Sequence, residues 1–240
     1  MYYELLNNNH HRNNLALFKV HQNNSRHYLK LSLSKKSNLL INNEKKGYSW
    51  FYLNSSSNDK TKLIKNYYYE ILIPEYLGKA FNSNAIISGN EDYIMNLIKF
   101  YNKIWSKNNS FAIHGDLALC NIIYNKNDII IIDWEHFHFA NQLYYGYDIV
   151  NLLFISLHHE FKGIKKIDVK VIKFIKECLL KLFEKVDKKN KILSKPFTNS
   201  SIYLKENKSE FNLNVPVEKK FVLSRYNKSE LEELDSLFNN

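Results

Sequence analysis

Between Phe111 and Asn151, three oxygen-bearing side chains fall at spacings that suit phosphoryl chemistry. The stretch reads F-A-I-H-G-D-L-A-L-C-N-I-I-Y-N-K-N-D-I-I-I-I-D-W-E-H-F-H-F-A-N-Q-L-Y-Y-G-Y-D-I-V-N. An apolar run delivers His114-Gly115-Asp116, Asn121 follows five residues after Asp116, and Asp133 ends a run of four isoleucines twelve residues later. Asp116 and Asn121 flank a short loop, and Asp133 closes the return strand of a hairpin that begins near Asn121. The three are therefore expected to converge at one edge of a small sheet. A hard divalent cation such as Mg2+ takes a few oxygens of this kind and completes its shell with water and substrate phosphates. A carboxylate within reach of a hydroxyl can orient it and accept its proton as a phosphoryl group is transferred. Any one of these residues alone reads as a cap or a turn residue, whereas the ordered set H-x-D-x-x-x-x-N, apolar strand, I-D reads as a phosphotransferase site.

That set resembles the Brenner-type motif of the aminoglycoside phosphotransferase and choline/ethanolamine kinase superfamily, which has a protein-kinase-like fold. Ile132-Asp133-Trp134-Glu135 resembles the I-D-[FW]-E of that superfamily, and Gly146-Tyr147-Asp148-Ile149-Val150-Asn151 resembles the G-[FY]-D-[IL]-x-N of choline and ethanolamine kinases. The resemblance implies Asp116 as catalytic base, with Asn121 and Asp133 holding Mg2+ against the phosphates of ATP. It implies a supporting role for His114, for which plain packing is the preferred reading, and a structural role for Asp148, capping its helix and bracing the catalytic loop. Glu135 would assist the metal or the substrate, or stand as a solvated loop acid, and Trp134 joins it as a candidate acceptor contact. Cys120, beside Asn121, reads as packing.

In the amino-terminal stretch, the same resemblance asks for a strand lysine that reaches the ATP phosphates and a helix glutamate that pairs with it. Lys30 in Tyr28-Leu29-Lys30-Leu31 and Glu44 on the following helical stretch fill these roles. Glu75-Tyr76-Leu77-Gly78 resembles the hinge whose backbone binds adenine, with Tyr76 and Leu77 as contact positions. Two features depart from the family pattern. The expected phosphate-covering loop, residues 7–14, contains no glycine, and only about 36 residues separate the hinge from His114.

The elements that must position these residues are legible in outline. Leu15–Val20 and His27–Leu33 read as a hairpin across Gln22-Asn23-Asn24-Ser25, preceded by a strand near Tyr2–Leu6. Ser37–Leu53 reads as a helix capped by Ser37 and weakened by Gly47, and Tyr67–Ile73 as a strand ended by Pro74. Tyr93–Trp105 has the 3.6-residue spacing of a buried helix. Asn121–Tyr124 and Ile129–Ile132 read as strands joined across Asn125-Lys126-Asn127-Asp128. Helices are expected over Asp148–Leu157, Val169–Phe183 and Lys228–Phe238, the last capped by Ser229, with residues 188–226 left without periodicity. The fold class expected is α+β: two lobes, residues 1–73 as a small mainly β nucleotide lobe, 74–78 as hinge and 79–240 as a larger mainly α catalytic and substrate lobe.

Composition bounds the remaining classes. The chain has 240 residues and a net charge of +10, from 34 Lys+Arg against 24 Asp+Glu, but 31 of those cations are lysine and 3 arginine, beside 33 asparagines and 6 alanines. That pattern looks like AT-rich coding bias, and the lysines read as scattered over a solvated surface rather than as a nucleic-acid face, for which arginine is the better suited residue. No run reaches the roughly 18 apolar residues of a membrane span. The start has no signal-peptide pattern, and Cys120 and Cys178 form no disulfide scaffold, so a soluble cytoplasmic protein is expected. The function expected is ATP- and Mg2+-dependent phosphorylation of a small-molecule hydroxyl, an amino alcohol ahead of a sugar or aminoglycoside. The alternative is a catalytically degenerate kinase fold serving as a nucleotide-binding or interaction module. The acceptor's identity and the oligomeric state are not encoded in these features.

Overall fold

Short strands alternating apolar and polar residues, followed by a long helix, begin the chain. A computed structural model describes residues 1–9, 14–55, 60–65, 67–81, 86–105, 111–125, 128–140, 145–161, 167–186, 193–206 and 226–239. They form two compact units, one of Met1–Lys79 with Ile123–Phe137 and one of Ala80–Ile122 with His138–Asn240. The first is built on an antiparallel sheet and the second is mainly helical, as expected for the α+β class. No described helix is long and apolar enough to cross a membrane.

In the first unit, β1 (Tyr2–Asn9), β2 (Leu15–Gln22), β3 (Ser25–Ser32), β4 (Lys62–Lys65) and β5 (Tyr69–Pro74) form a five-stranded sheet in the order β1-β2-β3-β5-β4. The tight β2–β3 turn puts Asn23 and Asn24 at φ of 47° and 61°, a backbone region that asparagine enters more readily than most residues. Lys30 sits on the central strand, opposite Leu17 of β2 and Ile71 of β5, so its backbone is held from both sides. The loop at residues 10–13, part of the glycine-free segment, lies outside the described residues. A smaller sheet takes β6 (Lys79–Ala80), β8 (Ile122–Asn125) and β9 (Asp128–Ile131) in the order β6-β8-β9.

Helix α1 (Lys35–Ser55) is longer at both ends than its apolar spacing suggests, and it is capped one turn earlier. Ser34, not Ser37, is its N-cap: Ser37 N donates to Ser34 Oγ and Ser34 N donates to Ser37 Oγ, each at 3.1 Å. This is a serine version of the reciprocal capping box. Gly47, which weakens the helix by propensity, has a packing reason. A Cβ there would lie 2.5 Å from Trp134 Cβ, so the helix passes Trp134 at a distance that only glycine permits. Trp134 is fully buried, with its ring against Trp50, Phe51 and Phe137 and its Nε1 donating to Ile131 O at 2.8 Å.

In the second unit, α2 (Glu91–Trp105) and α4 (Val169–Leu182) pack together, α2 burying Leu97, Ile98 and Tyr101 and α4 burying Ile175, Leu179 and Leu182. Helix α3 (Tyr147–Glu160) starts at Gly146, whose φ is 85°, and is buried along most of its length. Strands β7 (Phe111–Ile113) and β10 (His138–Ala140) pair antiparallel. The region read as aperiodic contains α5 (Pro196–Glu206), held by a carboxylate from a distant helix. Asp235 of α6 (Lys228–Asn239) accepts from Phe197 N at 2.9 Å and Thr198 N at 3.1 Å, satisfying donors that a helix start leaves open. The cap of α6 is Asn227 rather than Ser229. Asn227 Oδ1 accepts from Glu230 N at 3.0 Å, while Asn227 N donates to Glu230 Oε2 at 2.7 Å.

The contact at Gly47 generates a stability test. Alanine normally gains about 1 kcal/mol over glycine in a helix interior, but its methyl has to displace Trp134 and its neighbours. Gly47→Ala is expected to lower the urea midpoint without changing the slope, and Gly47→Val to cost about 3 kcal/mol.

Candidate functional site

Each unit carries one half of the expected site residues. In the first unit, the Lys30 ammonium lies among three carboxylates. Its Nζ is 2.9 Å from Glu44 Oε1, 2.6 Å from Asp133 Oδ1 and 3.1 Å from Glu135 Oε1. The central strand supplies the lysine and α1 supplies Glu44, which is completely buried. The turn after β9 supplies the other two, with Asp133 at φ 66°, a left-handed conformation that aspartate tolerates through local hydrogen bonding. Three carboxyl groups around one ammonium leave the cluster short of cations. Burial works against the Lys30 ammonium, but Asp133, Glu44 and Glu135 together outweigh it and hold its pKa well above the ordinary lysine value. Burial pushes the Glu44 carboxyl up to about 8. Lys30 draws it back down, and Asp133 and Glu135 push it further up. The Lys30 shift is thus carried by its carboxylate neighbours and the Glu44 shift first by burial.

The ligand atoms of Glu44, Asp133 and Glu135 lie within 4.8 Å of one another, and Glu44 Oε2 is buried with no hydrogen-bond partner. Glu135, read from sequence as a metal or acceptor contact or a solvated acid, is buried and bonded to Lys30. Trp134, expected to contact the acceptor, is instead enclosed by α1 and its aromatic neighbours, so no ring face is open to a ligand. Its neighbours in sequence enter the charge cluster while it enters the core.

Tyr76 and Leu77 follow β5 directly. The Tyr52 hydroxyl of α1 donates to the Tyr76 hydroxyl, and Leu77 is exposed. Glu75 just before them makes a clamp that the sequence did not suggest. Its carboxylate meets Lys19 Nζ at 3.3 Å and Arg26 at 3.5 Å, its N donates to Arg26 O at 2.9 Å, and the Tyr28 hydroxyl donates to it at 3.4 Å. The partners lie some fifty residues away on β2 and β3, and no local pattern announces such pairs.

In the second unit, the chain leaves β7 into His114-Gly115-Asp116 and a single 3-10 turn, Leu119–Asn121. Gly115 takes φ 84°, reversing the chain. Asn121 Nδ2 donates to Asp116 O at 2.9 Å, and Asp116 N donates to His114 Nδ1 at 3.3 Å, so the loop is bonded back onto itself. Asp148 of α3 does not cap its own helix. It accepts from His114 N at 2.8 Å and Gly115 N at 3.0 Å, tying the loop to α3. Burial pushes its carboxyl up to about 7, against these two amide donors, which favour the charged form. His114 is fully buried and Asp116 half-buried. Cys120 Sγ lies 3.7 Å from Asn121 Oδ1. Nearby, Glu160 accepts from Ile87 N and Ser88, and Tyr145 donates its hydroxyl to Asn102 Oδ1 at 2.5 Å.

The cluster generates a pH-dependent prediction. Removing the ammonium by Lys30→Met leaves Glu44 buried and uncompensated, which is expected to cost about 3 kcal/mol at about pH 8. Glu44 has a folded pKa above its ordinary 4.5, so its penalty grows as pH rises through that window and vanishes below it. The cost of Lys30→Met should therefore shrink towards about pH 5, and Glu44→Gln in the same chain should recover much of it. Urea unfolding at the two pH values checks both.

No protein-family profile and no curated protein sequence matches the chain. Solved structures do match its fold. A structure described as WaaP in complex with acyl carrier protein aligns at a TM-score of 0.51 and 9% identity, over 82% of this chain and 85% of that one. An ethanolamine kinase from Plasmodium vivax aligns at 0.47 and 13% identity, over 99% and 81%. A ternary complex of streptomycin, ATP and APH(2″)-IIa aligns at 0.40 and 9% identity, over 91% and 92%. The fold assignment rests on the first of these together with the element order described above. The chain has an α+β protein-kinase-like fold.

Proposed function

We propose that the chain is an ATP- and Mg2+-dependent phosphotransferase that phosphorylates a hydroxyl of a small molecule, an amino alcohol of the choline or ethanolamine type ahead of a sugar or aminoglycoside. The observation that carries this reading is the meeting of Lys30, Glu44 and Asp133 at 2.9 and 2.6 Å. A central-strand lysine, oriented by a buried helix glutamate and shared with the aspartate of I-D-W-E, supplies the parts that bind a nucleotide's phosphates in a kinase fold.

Lys30 would turn its ammonium to the phosphates while Glu44 keeps its stem in place. The backbone of Tyr76 and Leu77 would meet the adenine, held in line by the Glu75 clamp. The carboxylates of Glu44, Asp133 and Glu135 lie within 4.8 Å of one another with a single ammonium among them, a surplus of negative charge in which Asp133 suits a divalent cation. Asn121 and Asp133 would hold Mg2+, which when bound offsets charge on the phosphates. Asp116 would orient the acceptor hydroxyl and take its proton as the phosphoryl group leaves ATP. His114 and Asp148 act on Asp116 indirectly, by fixing the loop that carries it.

The amino-alcohol preference rests on I-D-W-E and G-Y-D-I-V-N, and on local charge. From His114 to Asp148 the sequence has one lysine, Lys126, against Asp116, Asp128, Asp133, Glu135 and Asp148. A cationic acceptor is drawn to such a segment, whereas a neutral sugar gains little from it.

An ATP-consumption screen over amino alcohols, sugars and aminoglycosides tests the reading, with Asp133→Ala as blank. Asp116→Asn is expected to lower kcat by roughly a hundredfold to ten-thousandfold while nucleotide binding persists. Near-wild-type turnover by that variant removes Asp116 as the base. ATP binding without turnover of any acceptor turns the reading to a nucleotide-binding module.

A further inference from the structure

The net charge of the chain is concentrated in one segment. Between Lys162 and Lys195 stand twelve lysines and four acids, a net +8 of the chain's +10, so the remaining residues together carry only +2. Coding bias towards lysine acts along the whole chain and does not account for this concentration. Helix α4 lies at the middle of the segment.

Helix α4 sorts its residues cleanly. Val171, Ile172, Ile175, Cys178, Leu179 and Leu182 are buried on one side. The opposite side exposes Lys170, Lys173 and Lys181, with Glu177 as the helix's single acid. Lys181 also pairs with Glu184 at 2.7 Å. Val169 and Leu180 lie on this same side, 66% and 51% exposed, each within a turn of a lysine. A basic face that also presents apolar side chains to water is the arrangement of a helix lying in the headgroup layer of a bilayer.

We infer that the exposed face of α4 docks the protein on an anionic lipid surface. All twelve cations of the segment are lysine. As compact point charges, lysines suit the diffuse negative potential of a lipid surface and lack the planar fork that reads phosphates and bases pairwise. A nucleic-acid face would also offer rings for stacking, and the one aromatic of α4, Phe174, is half-buried. The exposed Val169 and Leu180 have a use at a lipid surface and none on a phosphate backbone. Lipid docking is independent of the phosphotransferase reading and requires none of its site residues.

The test is flotation of the full chain with vesicles of phosphatidylcholine alone, or with about a third of phosphatidylserine, at about 50 and about 300 mM salt. Binding is expected to the anionic vesicles only, and to weaken at the higher salt. Lys170→Glu, Lys173→Glu and Lys181→Glu together are expected to weaken it by roughly a hundredfold, with far-UV circular dichroism and thermal unfolding unchanged. Lys60→Glu, Lys62→Glu and Lys65→Glu, three exposed lysines of the other unit, change the net charge equally and are expected to leave binding within about twofold. Equal binding to neutral vesicles, no binding at low salt, or equal loss in the two triple variants overturns the inference. Tighter binding to a duplex or single-stranded oligonucleotide than to the vesicles overturns it in favour of nucleic acid.

Discussion

The ammonium of Lys30 is shared by carboxylates from three places in the chain: the middle of α1, the left-handed residue after β9, and the residue two further on. Taking these charges out of water is expensive, and the arrangement survives because each carboxylate has the same cation within bonding distance. The consequence is positional. The central strand fixes the lysine from both sides, so α1 and the I-D-W-E turn must present their acids to one point. Glu44, fully buried, has no alternative partner in solvent, so the lysine adds a polar constraint on α1 to the packing of its apolar face.

Nonpolar packing holds the same turn from its other side. Asp133 and Glu135 reach the ammonium while Trp134 between them is driven into the space over Gly47, among Trp50, Phe51 and Phe137. Alternation along three residues thus divides one turn between a charge cluster and an aromatic core. A larger residue at 47 would push Trp134 away and carry the neighbouring acids with it, so core packing and site geometry are one problem here. The 66° φ of Asp133 belongs to this division, because it is the bend that sends adjacent side chains to different environments.

Strongly periodic elements were readable from the residues alone. The β2–β3 hairpin, α2 and α4 all carry their apolar spacing openly, whereas Lys30, Glu44 and Asp133 are linked in the sequence only by the family resemblance. What the sequence hid depends on contacts between distant segments. Helix α5 has a weakly amphipathic sequence, and Asp235, some 38 positions away, satisfies its first amides. Ser34 outranks Ser37 as a cap because the two serines bond reciprocally, a choice that side-chain type alone leaves open. Trp134 looked like a ligand contact because it neighbours acids, yet a glycine 87 positions earlier had made room for it in the core. The lysine surplus of residues 162–195 is countable in the sequence, whereas the sorting of Lys170, Lys173 and Lys181 to the exposed side of α4 follows from its helical spacing.

The hydrogen bond from the Asn121 side chain to the Asp116 carbonyl closes a small ring of backbone and side-chain atoms. A ring of that size has a fixed circumference. Inserting or deleting one residue between the two positions would break it, or pull the Asp116 peptide out of the conformation that Asp148 supports through His114 and Gly115. The five-residue interval is therefore a mechanical tolerance of the loop, enforced before any ligand arrives. The length of the interval is thereby constrained apart from the identity of the residues inside it, of which Leu117 is also held by burial.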